Sequence, residues 1–338
     1  MRAVRLTGVE QVELIEVEEP EPGPAEVVIA VEQRGICGSD IHAFHGRHPF
    51  VHPPVILGHE FAGRIRGVGP GVGELREGQP VTLEPSLVDG ECYNCSTGRY
   101  NICDHLDVIG CTTDGGFADY VAVPAEKVVP LPESMSMEEG AMVEPMAVAY
   151  HALEVAGFER GMRVGVLGAG TIGLCTLLAL RERGAERVVV TDLLEDKRKR
   201  AHSLGADLTL EADDEGLVGK AREFLGRRAD VVFDCVSNRT SLGQSLALAE
   251  KGGCVVVEGV PEGEVSIPLH LVQDRELQIR GTLMYLRRDF EAAVSAIGSG
   301  KVDVEPLITD RYPLERVAEA FERIDSAPEE VVKVQIGP

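Results

Sequence analysis

Gly168-Ala-Gly170-Thr171-Ile172-Gly173 follows the apolar run RVGVL and opens a second apolar run, TIGLCTLLAL. Between a strand and a helix, that G-x-G-x-x-G spacing serves a dinucleotide. The first glycine permits the tight turn, the second lets a pyrophosphate approach the backbone, and the third lets helix and strand pack closely. The phosphates then meet the free N–H groups and positive dipole end of the helix, where Thr171 and Ile172 form the first turn. Asp192 lies 19 residues past Gly173 and closes the run RVVVTD. A carboxylate there accepts hydrogen bonds from both adenosine ribose hydroxyls and repels a 2′-phosphate, so NAD is expected over NADP. Lys197, five residues on, either adds a ribose hydrogen bond or is solvated.

A second set of reactive residue types is scattered along the chain. Cys37 sits in GICGSDIH, His59-Glu60 in VILGHEFAG, and Glu144 in MVEPMAVAYHA. A soft thiolate, an imidazole and carboxylates together make a three-ligand zinc site with one open position. That is the form of catalytic rather than structural zinc. Spacing alone does not establish the site, because its members are far apart in sequence.

The elements that must position these groups change character along the chain. The first 130 residues hold short β-like runs, EVVIAVEQ, PVTLEP, FADYVAVP and KVVPLP among them, densely punctuated by Gly and Pro. That texture predicts an irregular all-β or barrel-like domain. From about Glu138 the period turns helical, and strands then alternate with helices: RVGVLG, TIGLCTLLALRERG, RVVVTD, DKRKRAHSLG and, further on, DVVFDCV and GCVVVEG. Such alternation predicts βαβ units and a parallel sheet. A helix from DFEAAVSAIGSG, another from LERVAEAFERI and a closing strand VVKVQIG complete the chain.

The 338 residues suit two domains, and the formal net charge is −23. An anionic surface of that size repels phosphate backbones and anionic lipid, so nucleic acid and membrane partners are not expected. The charge fits a saline cytoplasm as well as an ordinary acidic protein. The first twenty residues alternate apolar and charged types and lack the pattern of a signal peptide, so a cytoplasmic location is expected. Eight cysteines in a reducing compartment read as metal ligands or small core residues rather than disulfides.

In order, GICGSD, GHEFAGRI, the Cys-rich stretch after Gly90, DGGFADY, the Glu144-Pro helix and GAGTIG resemble the zinc-dependent medium-chain dehydrogenase/reductase family over essentially the whole chain. Glu144, where classical alcohol dehydrogenases carry Cys, matches the polyol-dehydrogenase branch: sorbitol, butanediol, threonine and sugar-acid dehydrogenases. The resemblance implies a GroES-like β-rich catalytic domain, residues 1–146 and 286–338, and a Rossmann domain, residues 147–285, with a doubly wound parallel sheet. It implies Cys37 and His59 as constant zinc ligands, with Glu60 and Glu144 sharing the remaining positions. It places Asp40 behind His59, fixing its tautomer, and makes Ser39 and His42 a proton relay.

The family's second zinc lies in a lobe of four cysteines spaced C-x2-C-x2-C-x7-C. Here Cys92, Cys95 and Cys103 keep the pattern and Asp89 replaces the first cysteine. The lobe therefore holds zinc with one oxygen and three sulfurs, or is metal-free with three thiols. Cys111, Cys175, Cys235 and Cys254 are expected in the core.

The activity implied is reversible, zinc- and NAD-dependent oxidation of a secondary alcohol in a polyol, vicinal diol or hydroxy acid. A threonine-dehydrogenase-like oxidation of an amino alcohol and a non-catalytic dinucleotide-binding protein are the alternatives. Met284-Tyr285 stands where some sorbitol-type relatives carry Arg-Tyr, which puts sorbitol itself in doubt. Arg287 and Arg288 either meet a substrate carboxylate or lie on the surface. Family members pair through the edge of the Rossmann sheet, so a homodimer or homotetramer is expected, with EVSIPLHLVQDRELQIRG supplying β-rich sequence near that edge.

Overall fold

The computed structural model describes every residue except Glu262. The chain forms two compact units, Met1–Glu144 with Leu286–Pro338, and Pro145–Tyr285.

The first unit centres on a seven-stranded sheet. Its middle strand, Glu26–Gly35, is rich in β-branched residues, and Val27, Ile29 and Val31 pack in one core with Phe61, Ile65, Val81 and Val123. It pairs antiparallel with Glu60–Val68, with Tyr120–Pro124 and with the C-terminal strand Lys333–Gly337. Arg34, fully buried, locks these partners together. Its guanidinium donates to the carbonyls of Val31, Gly116, Ala118, Ile336 and Gly337. Burial lowers its pKa to about 10, so it stays charged at neutral pH and its donors are matched by carbonyl oxygens rather than a carboxylate.

The second unit holds a six-stranded parallel sheet. In chain order its strands are β1 (Arg163–Leu167), β2 (Arg187–Asp192), β3 (Leu208–Glu211), β4 (Ala229–Asp234), β5 (Ala249–Val257) and β6 (Gln278–Gly281). They lie in the order β3-β2-β1-β4-β5-β6, so the topological switch falls between β1 and β4. The continuous apolar runs of β1, β2 and β4 follow from burial on both faces. Helix α1 (Thr171–Arg183) leaves β1 through the glycine loop.

Residues 264–281 depart from their β-rich expectation, since Leu269–Asp274 is a helix and only β6 is a strand. Pro268 presets the chain at the helix start. Leu271 and Val272 of this helix, with Ile267 just before it, then pack on the core. All four residues of β6 are exposed at the sheet edge. Among the described residues no helix is long and apolar enough to cross a membrane.

Candidate functional site

Strand register gathers the scattered ligand types. Gly35 pairs with Glu60, and Gln335 pairs with Gly35 on the other side. Two residues beyond Gly35, Cys37 caps the helix Gly38–Phe44. One ligand atom each from Cys37, His59 and Glu60 therefore lies within 4.8 Å of the others. A Cβ on Gly35 would sit 2.1 Å from Glu60 Oε2, so a side chain there would displace the carboxylate. Glu144 is buried at the start of the helix Val143–Ala156, but its carboxylate is outside that close set.

The groups behind the cluster orient the imidazole. Asp40 Oδ2 accepts from the Cys37 backbone N–H at 2.8 Å, and Oδ1 lies 3.8 Å from His59 Nδ1. Cys111 Sγ is 3.6 Å from the same nitrogen. Ser39 Oγ is 3.4 Å from Nε2. With Nδ1 facing Asp40 and Cys111, Nε2 is the edge left for a metal, on the Ser39 side. His42 follows on the same short helix, half-buried. Cys111 is thus not the plain core residue expected, because the turn after Val108 aims its sulfur at His59.

Asp40, His59 and Glu60 are buried and Cys37 half-buried, in a site rich in acceptors. Burial, then the charge of Glu60, push the Cys37 thiol up. Burial raises Asp40 to about 6. For His59, burial works downward, but Cys111, Asp40 and Cys37 outweigh it and hold the imidazole well above its usual range. Such a set calls for added positive charge, and thiolate, imidazole and carboxylate are the donors zinc takes.

One cation is built in. Lys333 Nζ lies 2.8 and 2.6 Å from the two oxygens of Glu60 and donates to Ile36 O at 3.0 Å. Lys333 is 2% exposed and Glu60 1%. Sequence pattern alone does not place Lys333 in the site. Its signal is a lysine inside the apolar run VVKVQI, which is out of place unless an acid faces it.

Asp89, Cys92, Cys95 and Cys103 form a second set whose ligand atoms all lie within 4.8 Å. Asp89 Oδ1 accepts from the N–H groups of Glu91 and Cys92 at 2.9 and 3.0 Å, and Oδ2 meets His105 Nδ1 at 2.8 Å. The Cys92 N–H, then His105, hold this carboxyl well below the usual carboxylate range. Cys103 Sγ accepts from the N–H groups of Asp89 and His105, and Cys92 Sγ from that of Cys95, each at 3.4 Å. Backbone donors lower the Cys92 thiol, whereas desolvation and then the neighbouring thiols push Cys95 up to about 12, so a bound cation is what would hold the sulfurs as the thiolates that bind metal. One oxygen and three sulfurs fit a closed tetrahedral zinc site.

Arg287 does not point to substrate recognition. It pairs with buried Glu84 at 3.1 Å and donates to Val128 O, while its backbone N–H donates to Tyr100 Oη at 2.6 Å. The side chain of Arg288 is 65% exposed.

In the second unit the glycine loop fits a pyrophosphate. Gly168 has φ +97°, and a Cβ on Gly173 would sit 1.9 Å from Gly168 O. Gly170 caps α1 with open space where its Cβ would be, and the first turn of α1 carries no acid. Thr171 and Ile172 are half-buried beside it. Asp192 ends β2, with Oδ2 accepting from Ala169 N at 2.8 Å and Oδ1 from Leu194 N at 2.9 Å. Both oxygens are thereby fixed at the lip of the loop, each with a lone pair left for a ribose hydroxyl. Lys197 is half-buried in the following helix, Glu195–Ser203.

Comparison with known proteins agrees with both halves of this picture. The alcohol dehydrogenase GroES-like domain matches residues 23–133, and the zinc-binding dehydrogenase domain matches residues 171–299. Sorbitol dehydrogenase from Gallus gallus is 36% identical over 312 residues, 90% of this chain and 87% of the relative. A crystal structure of the alcohol dehydrogenase rspB from E. coli CFT073, complexed with NADH, superposes with a TM-score of 0.94 at 29% identity over 100% of this chain and 99% of the other. A zinc-binding dehydrogenase from Sinorhizobium meliloti 1021, bound to NADP, gives 0.93 at 33% identity over the same shares.

Proposed function

The chain belongs to the zinc-dependent medium-chain dehydrogenase family, polyol branch, and from that premise we propose that it oxidises a secondary alcohol of a polyol, vicinal diol or sugar acid to the ketone, with NAD as acceptor. It is an oxidoreductase of the zinc alcohol dehydrogenase type, using zinc and a nicotinamide dinucleotide. The observation that carries the reading is the convergence of Cys37, His59 and Glu60 within 4.8 Å, with the Ser39 hydroxyl 3.4 Å from His59 Nε2.

Cys37 and His59 would hold zinc, with Glu60 or buried Glu144 completing the set. Bound there, zinc supplies a Lewis acid that stabilises the developing alkoxide, and the nicotinamide accepts the hydride. With zinc on Nε2, the Nδ1 proton of His59 would face the Asp40 carboxylate, which would favour that tautomer electrostatically. Ser39 Oγ would accept the substrate hydroxyl proton while giving up its own to the relay, and His42, three residues on along the same helix, would release a proton to solvent. Lys333 offsets the charge of Glu60. The relatives' sorbitol activity favours a polyol. Asp192 favours NAD because its fixed oxygens suit two ribose hydroxyls and repel a 2′-phosphate. The exposed edge β6 is where a second copy would pair.

The test is a reduction screen with metal analysis over sorbitol, xylitol, galactitol, 2,3-butanediol, threonine, gulonate, galactonate and idonate. At least one polyol, diol or aldonate should be oxidised faster than threonine. NAD should be preferred, and Asp192→Ala should narrow that preference by about ten- to hundredfold. Full activity after chelation, or better use of NADP by the unmutated protein, would overturn the metal or the cofactor reading respectively.

A further inference from the structure

A half-buried carboxyl in the second unit, Glu258, has no part in the chemistry above. Glu258 follows β5 directly. Cys235, directly after β4, points its sulfur at Glu258 Oε2 at 2.9 Å, and Thr176 of α1 places its hydroxyl 3.2 Å from the same oxygen. Cys235 is therefore not simply the core thiol expected from the sequence. The carboxyl is wedged between the carboxyl ends of two neighbouring strands and the helix that opens at the glycine loop. That loop is in contact with it through Cys235, since a Cβ on Gly168 would lie 3.6 Å from Cys235 Cβ. Gly259 packs against the backbone of Cys235 on the other side.

The topology places this group relative to the dinucleotide. In a 3-2-1-4-5-6 sheet the two halves each take one mononucleotide, outside the carboxyl ends of the strands. Asp192 on β2 marks the adenosine half. The ends of β4 and β5, with Cys235 and Glu258, belong to the nicotinamide half. The two redox forms of that ring differ in charge: the oxidised ring is a cation and the reduced ring is neutral. A titratable, half-buried carboxyl on that side distinguishes them electrostatically.

We propose that Glu258 is a selectivity residue for the oxidation state of the dinucleotide: ionised, it favours the cationic nicotinamide, so the affinity ratio of oxidised to reduced cofactor rises with pH. This rests on the chain binding a nicotinamide dinucleotide and not on which alcohol it oxidises. The groups facing the carboxyl are few. Thr176 comes from α1 and Cys235 from the end of β4. Asp234, also from β4, has its Oδ1 capped by the N–H groups of Val236 and Ser237. Burial raises Glu258 to about 7, with Asp234 adding to the rise and the Cys235 and Thr176 bonds opposing it. Burial and Glu258 itself keep the Cys235 thiol protonated, so it acts as a donor.

The test measures dissociation constants of oxidised and reduced dinucleotide from pH 6 to 8.5, by calorimetry and by fluorescence of the reduced form. In the unmutated holoenzyme the reduced-to-oxidised ratio of dissociation constants should rise about fivefold, the size expected of one added charge acting through protein. Glu258→Gln should lose that rise, while proton linkage from any other group survives in both proteins and cancels. Cys235→Ala removes a donor to the carboxylate and should move the midpoint to higher pH, which tests the proposal even if Glu258→Gln folds poorly. An identical pH dependence in all three proteins overturns the proposal and leaves the cofactor reading standing. Failure to bind either form overturns both.

Discussion

Cys37, His59 and Glu60 are held at the ends of strands that pair across a sheet, and they are enclosed by that sheet's core. Asp89, Cys92, Cys95 and Cys103 come from one stretch of chain whose only regular elements are the short helix Tyr93–Ser96 and a 3-10 turn, Tyr100–Ile102. The first cluster has its own cation, Lys333, and long-range hydrogen bonds among protein groups. The second is held by N–H···S contacts and an exposed carboxylate–imidazole pair. The difference teaches what each metal is for. At the strand ends the fold makes the site, and a metal adds chemistry. In the lobe the metal would help make the local structure.

The largest effect should separate the two on activity. Cys37→Ser and His59→Ala remove ligands from the preformed site. Turnover should fall by about 10^3-fold or more, since a Lewis acid supplies several kcal/mol at the transition state. The melting temperature should stay within a few degrees of the parent, by differential scanning calorimetry. Cys92→Ser should leave most of the turnover and instead expose the 85–108 segment to limited proteolysis. If Cys92→Ser abolished turnover with the lobe intact, the division of labour would be wrong.

Next in size is a stability effect confined to the first cluster. Lys333→Met leaves the Glu60 carboxylate buried without its partner, which should destabilise by about 3–5 kcal/mol in urea unfolding. Adding Glu60→Gln should recover most of that loss. No comparable penalty is expected for His105→Ala, because His105 and its contact with Asp89 are solvent-exposed. A Lys333→Met protein as stable as the parent would mean that Glu60 has another partner and that the cation is not part of the framework.

The same contrast explains what could be read from the chain. The lobe was legible by spacing because its ligands are sequence neighbours; only Asp89 required a judgement about chemistry. The glycine loop and Asp192 were legible because a βα turn is local and its glycines answer to close contacts. The zinc-type residues were legible as types, but their meeting depends on Gly35 pairing with Glu60, a register no short window contains. Lys333 was missed for the same reason, since the partner that explains a buried lysine lies 273 residues away. Cys111 and Cys235 looked like ordinary small core residues because a thiol gives the same sequence signal whether it packs or donates. Their polar partners, His59 and Glu258, lie at the ends of other strands, distant in sequence. The helix at Leu269–Asp274 was hidden by a run of residues that suit either state, until Pro268 and the core contacts of Leu271 decided it.

The smallest effect concerns how firmly the lobe holds its metal. Three thiolates and one carboxylate bind zinc less tightly than four thiolates, because oxygen is the harder, less polarisable donor. Asp89 stays ionised through mild acid, since the Cys92 N–H and His105 hold its carboxyl far below the usual range. As pH falls it is therefore the sulfurs that take up protons first, and their protonation releases the metal. Protein purified without added metal should carry two zinc ions per chain by elemental analysis. Near pH 5 it should lose the lobe ion, in step with alkylation of Cys92, Cys95 and Cys103. Asp89→Ala should carry only the first ion, and Asp89→Cys should shift release to lower pH. Turnover at neutral pH should change by less than about threefold in either variant, because the ligands at Cys37 and His59 stand on a separate framework. One zinc per chain in the parent, with all three lobe thiols freely alkylated in the folded protein, would show instead that amide donors and the Asp89–His105 pair alone hold the lobe.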